Sequence, residues 1–392
     1  MTLNRTILLY GSTAPFDFSR TGVVYPFITT FLAAAISTAI GLYIVIKACH
    51  YLKIYDQPNG RKVHHKPIPR LGGIVFMPSA AMGLCAGLYL LAGGDKRMEI
   101  SISTIAMTVG ALIVYCIGFF DDRFGMKAYH KFIFQGISAL FLPLCGLLIT
   151  DLNGLLGIHQ IPLLVGYPLT VLLIMTIVNA INLIDGIDGL ASGLCILILS
   201  AYAYVAAEKG FLVIALTNTS IVGALAVFFL FNYFGKVGRM KIFMGDAGSL
   251  FLGYICAYMS IKSLMRPIAP IDCGEEQVLI SVSLLFVPVI DVIRVALQRW
   301  FTGHPIFEPD KTHIHHLFMA AGLSMHGALL AIILLFFLIC GLNYWLWDVH
   351  LHLPVILLSD IFIYILVMRT LQHMIKGKQE ELDAIKSKTP KP

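Results

Sequence analysis

Apolar residues in this chain come in long unbroken runs rather than in stripes of helical period or in strand-like alternation. Short segments rich in Pro, Gly and charge separate them. The runs fall near 24 to 48, 72 to 92, 102 to 120, 132 to 149, 168 to 184, 189 to 207, 211 to 231, 248 to 264, 278 to 298, 327 to 346 and 352 to 368. A helix needs roughly 20 apolar residues to cross the hydrocarbon of a bilayer. The pattern therefore predicts an all-α, polytopic membrane helix bundle of about eleven transmembrane helices. Composition agrees: 58% of residues are hydrophobic and only 13% charged, far from soluble averages. In the second run, Gly83 and Gly87 have the spacing of a close helix contact, which predicts packing within the bundle.

Charge orients the bundle. If the loop at 50 to 70 faces the cytoplasm, nineteen Lys and Arg fall in segments on that side and seven on the other. This bias predicts an outside N-terminus and a cytoplasmic C-terminus. The net charge of +6 then serves orientation and gives no reason to expect nucleic acid. The first 23 residues lack the layout of a cleaved signal peptide. Seven of the eight cysteines lie in or beside apolar runs, with Cys273 in an outer loop, and they read as small apolar packing residues.

Against this apolar background the polar clusters stand out. The fifth run ends in Asn179-x-x-Asn182-x-x-Asp185-Gly186-x-Asp188-Gly189-Leu190. A spacing of three puts Asp185 and Asp188 on one helix face or on the arms of a tight turn, close enough to share a cation. The simpler reading is Asp-Gly turn chemistry at a helix end, which does not account for all four polar side chains. The third run ends in the adjacent pair Asp121 and Asp122, whose repulsion favours a raised pKa or a shared metal unless Arg123 and Lys127 merely neutralise them. Phe243-Met244-Gly245-Asp246-Ala247-Gly248-Ser249 opens the eighth run: a helix cap, or a place for phosphate and the cation that bridges it. The basic loop from Lys53 to Arg70 is an orientation anchor or a site for a lipid phosphate. Asp291 and Arg294 read as an internal ion pair. His313, His315 and His316 resemble a transition-metal site, but imidazole suits phosphate or sugar oxygens better than magnesium. The loop near 150 to 167 has room for a short hairpin.

With alternating topology, Asp121, Asp122, Asn179, Asn182, Asp185, Asp188, Asn232, Asp246 and the histidines all fall on one face of the membrane. Carboxylates with amides select magnesium over a thiophilic metal, and magnesium beside cationic loops at headgroup level suits phosphoryl transfer. No Walker loop, H-E-x-x-H, G-x-S-x-G or G-x-G-x-x-G pattern is present to support hydrolase, ATPase or dinucleotide readings. An ion-coupled transporter also carries intramembrane acids, but here the polar groups gather at one face and no inverted repeat is apparent.

Asp56-x-Pro58-Asn59-x-Arg61-Lys62, Pro69-x-x-Gly72-Gly73, the Asp121-Asp122 pair, the 179 to 190 stretch, the 243 to 249 stretch and Pro309-Asp310-x-x-His313-Ile314-His315-His316 occur in this order. Together they resemble the polyprenyl-phosphate N-acetylhexosamine-1-phosphate transferases, nearest to the bacterial undecaprenyl-phosphate N-acetylglucosamine-1-phosphate transferases. The related muramoyl-pentapeptide transferases, with a different histidine motif, are the alternative branch. The resemblance implies transfer of a sugar-1-phosphate from UDP-N-acetylhexosamine to undecaprenyl phosphate with release of UMP, starting a cell-envelope polysaccharide. It implies a magnesium cofactor, replaceable by manganese, with Asp246 and Asp185 as metal ligands. Asp121, Asp122, Asp185 and Asp188 would be the catalytic carboxylates. Asn182, Asn232, Phe243, His313, His315 and His316 would bind the donor, and Asn59, Arg61, Lys62 and Lys131 the lipid phosphate. Residues 1–375 would be a single transmembrane catalytic domain of the bacterial inner membrane with a cytoplasmic active site, among membrane lipids and with a homodimer allowed. Residues 376–392 would be a polar cytoplasmic tail, frayed along its length.

Overall fold

A computed structural model describes residues 21–56, 67–92, 101–152, 157–264, 275–303 and 312–388. Asn59, Arg61 and Lys62, Cys273, Pro309 and Asp310, and most of the N-terminal segment lie outside them. Among the described residues the chain is almost entirely helical, and each apolar run coincides with a helix. The helices are α1 (Thr21–Leu52), α2 (Phe76–Ala92), α3 (Ile102–Phe124), α4 (Ala128–Leu144), α5 (Leu163–Ile184), α6 (Leu190–Glu208), α7 (Leu212–Tyr233), α8 (Gly245–Leu264), α9 (Glu275–Thr302), the short α10 (Ile314–Ala320), α11 (Met325–Asp348) and α12 (Leu353–Lys388). Two-residue strands, β1 (Tyr55–Asp56) and β2 (Ile68–Pro69), pair antiparallel, with Tyr55 opposite Pro69. Local signals set several ends: the Ser101 hydroxyl caps α3 by accepting the Thr104 N–H at 3.2 Å, and Gly125, at φ +72°, ends it.

Among the described residues, nine helices are long and apolar enough to cross a membrane. The two long helices outside that set are α4, with only 17 residues, and α8. Helix α8 is buried at every position from Ala247 to Ile261. Packed against α3, α5 and α6, it needs no lipid-facing stripe and can carry Gly, Ser and Tyr.

The chain divides into two compact units, residues 1–150 with 162–273, and residues 151–161 with 274–392. In the first unit α1, α2 and α7 pack together, and α8 is enclosed by the others. Gly83 and Gly87 do mark a close contact, because a Cβ on either would fall within 2.7 Å of Thr30 or Ala34 of α1. In the second unit α9, α11 and α12 pack with α10, and Asp151 bridges Gln160 in the expected hairpin. The tail expected to fray instead continues α12 as far as Lys388.

Candidate active site

In the first unit the last turns of α3, α5 and α7 and the first turns of α4, α6 and α8 bring together the acidic positions that sequence singled out. The two neighbouring acids of α3 have different tasks. Asp122, a buried residue, accepts the backbone N–H groups of Asp246 at 2.9 Å and Ala247 at 3.0 Å, so α3 caps the start of α8. It also pairs with Arg70 Nε at 3.0 Å. Asp121 accepts the Met126 N–H at 2.6 Å and the Lys131 ammonium at 2.9 Å. That same ammonium pairs with Asp246, whose other oxygen accepts from Asn182 Nδ2 at 3.3 Å and lies 3.9 Å from Arg70.

Glycine makes this convergence possible. Gly245 has φ of +74°, and a Cβ there would stand 2.5 Å from an Asp122 oxygen. One on Gly73 would lie 2.2 Å from the Cα of Gly248. The backbone of Phe243 completes the join, donating to Pro69 O and accepting from Gly72 N, both at 2.8 Å. This pairing lays the half-buried Phe243 beside the segment that carries Arg70.

On the other side, Asp188 pairs with Lys241 at 2.6 Å, and the buried Lys241 also donates to the carbonyl of Asn232. The Asn232 side chain accepts from Gly189 N at 2.7 Å and donates to Ile242 O at 2.9 Å. Both ends of its amide thus hold the 185 to 189 turn against the loop before α8. Asn182 also donates to Ser249 Oγ at 2.8 Å, whereas Asn179 braces α4 through Gln135 at 2.8 Å. Asp185 sits at the C-terminal end of α5, and its carboxylate has no hydrogen bond among the described residues. Burial, then the charges of Asp246, Asp188 and Asp122, push its pKa up to about 7.

The histidines belong to the second unit. Asp291 accepts from Arg294 at 2.7 Å, Tyr364 OH at 2.9 Å and the Ile314 N–H at 3.2 Å, and is joined to His313 Nδ1 at 2.9 Å. The expected ion pair is therefore present, with His313 added to it. His315 is 1% exposed, and among the described residues neither ring nitrogen has a hydrogen-bond partner. Burial, then His316 and His313, lower its pKa to about 3, so the ring is neutral at physiological pH.

Motif reasoning gave Lys241 and Ser249 no role of their own, and Arg70 only a place in the basic loop. Arg70 and Lys241 stand in runs of basic residues that looked like orientation charge, and only their burial and partners set them apart.

Among the described residues no three Asp, Glu, His or Cys side chains already form a metal cage. The donor set nonetheless suits a hard divalent cation. Asp121, Asp122, Asp185, Asp188 and Asp246 face Lys131, Arg70 and Lys241, an excess of two negative charges when all are ionised. Magnesium needs only one or two carboxylates when water and phosphate complete its shell. Asp246 and Asp185 are the residues that could hold it.

Residues 104–264, which include most of this cluster, match the model of glycosyl transferase family 4. The chain is 35% identical over 325 residues to a protein of Bacillus subtilis (strain 168) named as a probable undecaprenyl-phosphate N-acetylglucosaminyl 1-phosphate transferase, covering 81% of this chain and 82% of that one. It is 28% identical to the undecaprenyl-phosphate alpha-N-acetylglucosaminyl 1-phosphate transferase of Yersinia pestis, covering 75% of this chain and 77% of that one. The Escherichia coli (strain K12) protein of the same name is 27% identical, with 78% and 80% covered. The chain belongs to glycosyl transferase family 4, among its sugar-1-phosphate transferases.

Proposed function

We propose that this enzyme transfers N-acetylglucosamine-1-phosphate from UDP-GlcNAc to undecaprenyl phosphate in a magnesium-dependent reaction, releasing UMP and starting a cell-envelope polysaccharide. The observation that carries this reading is the five-carboxylate cluster with its excess negative charge, gathered where α8 begins. The names of the relatives agree with it.

Asp246 and Asp185 would hold the cation, which when bound would supply positive charge to the donor diphosphate and the phosphorus under attack. Asp122, fully engaged by α8 and Arg70, positions the start of α8. Asp121 faces the acceptor phosphate. A phosphate monoester with a second pKa near 6 is largely ionised at pH 7, so Asp121 orients the nucleophile more than it deprotonates it. Lys131 and the basic residues Arg61 and Lys62, with Asn59, meet the carrier phosphate, and Phe243 stacks on the uracil. Asn232 acts at one remove, by fixing the turn that carries Asp188. The histidine cluster is assigned to the donor by its motif.

The same proposal has the chain cross the bacterial inner membrane eleven times, α4 and α8 included, with an outside N-terminus and a cytoplasmic site. Purified protein with magnesium, undecaprenyl phosphate and UDP-GlcNAc should release UMP. UMP release from UDP-GalNAc or UDP-MurNAc-pentapeptide in place of UDP-GlcNAc would move it to another donor class, and release from none would remove the reading. A cysteine at Lys236 should react with an impermeant label only from the inner face, and one at Lys209 only from the outer.

A further inference from the structure

Lys131 stands near the start of α4, and its ammonium reaches acids on two other helices, Asp121 of α3 at 2.9 Å and Asp246 of α8. The helices do not need this bridge as a strut. Asp122 already ties α3 to the N–H groups of residues 246 and 247, and Gly118 packs against Ala247 so closely that a Cβ would come within 2.5 Å. The demand is electrostatic instead. Two ionised carboxylates in reach of one ammonium repel each other, and a cation between them relieves that repulsion without the proton that the pair would otherwise have to share. An ammonium brings one charge to that pair. A divalent cation brings two, is more compact and prefers carboxylate oxygens. Apart from Lys131, Asp246 has among the described residues the 3.3 Å bond from Asn182, the distant Arg70 and the adjacent carboxyl of Asp121.

We propose that Lys131 is a resident counter-ion, held between Asp121 and Asp246 until a divalent cation takes their oxygens, and that its displacement frees the ammonium for a substrate phosphate. This rests on the magnesium reading above. It makes cation entry the step that arms Lys131. A permanent salt bridge would leave this lysine in the same place with or without metal.

Reductive methylation of the full-length wild-type protein, read by mass spectrometry at Lys131, tests the displacement without turnover. Labelling of Lys131 should rise severalfold when magnesium is added, while Lys241, in its separate pair with Asp188, should stay protected. Manganese binding, followed by electron paramagnetic resonance on the same protein, provides the reference. If manganese binds and labelling of Lys131 does not change, the proposal is overturned and the magnesium reading survives. Absence of any manganese binding would remove both. Lys131→Met should bind manganese at least about tenfold more tightly, because a competing unit charge a few ångströms away is gone. Equal or weaker binding in a folded Lys131→Met protein would also overturn the proposal, by showing that the lysine assists the metal.

Discussion

Asp291 in the second unit receives hydrogen bonds from an arginine, a tyrosine and a backbone amide and is joined to a histidine, so its charge is matched on every side. Asp185 in the first unit, half-buried beside three other carboxylates, has no such partner among the described residues and is pushed up to about pH 7. The side chain is the same and the surroundings decide its use. A saturated carboxylate is a structural clamp, whose removal leaves its partners without a counter-charge. An unsaturated cluster has a standing demand for a cation, and that demand is what a bound metal and a phosphate substrate can meet. In its bonds alone Asp122 resembles Asp291, engaged by two backbone N–H groups and Arg70, whereas Asp121 and Asp246 share one ammonium between them.

The largest effect should come from the unsaturated side. Asp246→Asn keeps the size of the side chain and removes its charge, so turnover should fall at least about a thousandfold at any practical magnesium level, as when a metal-assisted transition state loses several kcal/mol. Its melting temperature should stay near wild type. Near-normal activity with unchanged magnesium dependence would remove Asp246 from the metal site.

On the saturated side the pattern should invert. Asp291→Ala leaves Arg294 and His313 without their acceptor, and breaking a buried pair in this way costs about 3–5 kcal/mol of stability. Calorimetry or chemical unfolding in detergent should show that loss before any specific change in metal requirement. A stable Asp291→Ala protein with an altered magnesium requirement would erase the distinction between the two sites.

Much of this was legible in the sequence because it depends on local pattern. Long apolar runs specify helices, and charge-bearing run ends specify where polar chemistry gathers. What was not legible depends on partners far away in sequence. Asp121 and Asp122 are neighbours with the same side chain, and only the arrival of residues 246 and 247, more than 120 positions later, makes one a helix cap. Asn232 reads as a free amide until Gly189 and Ile242 engage both of its ends. Lys241 looks like one more positive-inside residue until burial and Asp188 claim it. Helix α8 breaks the hydropathy rule for the same reason, since burial by protein on all sides relaxes the need for apolar side chains.

A smaller effect should appear in pH dependence. The ordinary aspartate pKa is near 4, whereas Asp185 in the metal-free protein keeps its proton up to about 7. The unfolded chain therefore binds fewer protons than the folded one between those values, and metal-free stability should fall as pH rises from about 4 to about 7. A cation held by Asp185 competes with that proton, so the magnesium concentration for half activity should rise as pH drops below about 7. Asp185→Asn should reduce the slope of the stability trend over this window. A trend that is unchanged in Asp185→Asn would assign it to another group.

The smallest effect is expected at His315, and its form matters more than its size. The ring is buried, neutral and, among the described residues, without a partner at either nitrogen, so it offers one N–H donor and one acceptor, the complement of a hydroxyl or an amide. A neutral hydrogen bond contributes only about 0.5–1.5 kcal/mol, less than the charge-assisted bond an imidazolium would make to a diphosphate. His315→Ala should therefore raise KM for UDP-GlcNAc or lower kcat by roughly threefold to tenfold, following the same energies. Because the ring does not titrate between pH 5 and 8, that loss should be constant across the range. Magnesium dependence should be unchanged, since imidazole adds little to a magnesium site. A loss that grows as pH falls toward 5 would mean that His315 works as a cation on the phosphates, and bound zinc at one per chain would mean that the histidines are ligands of a different metal.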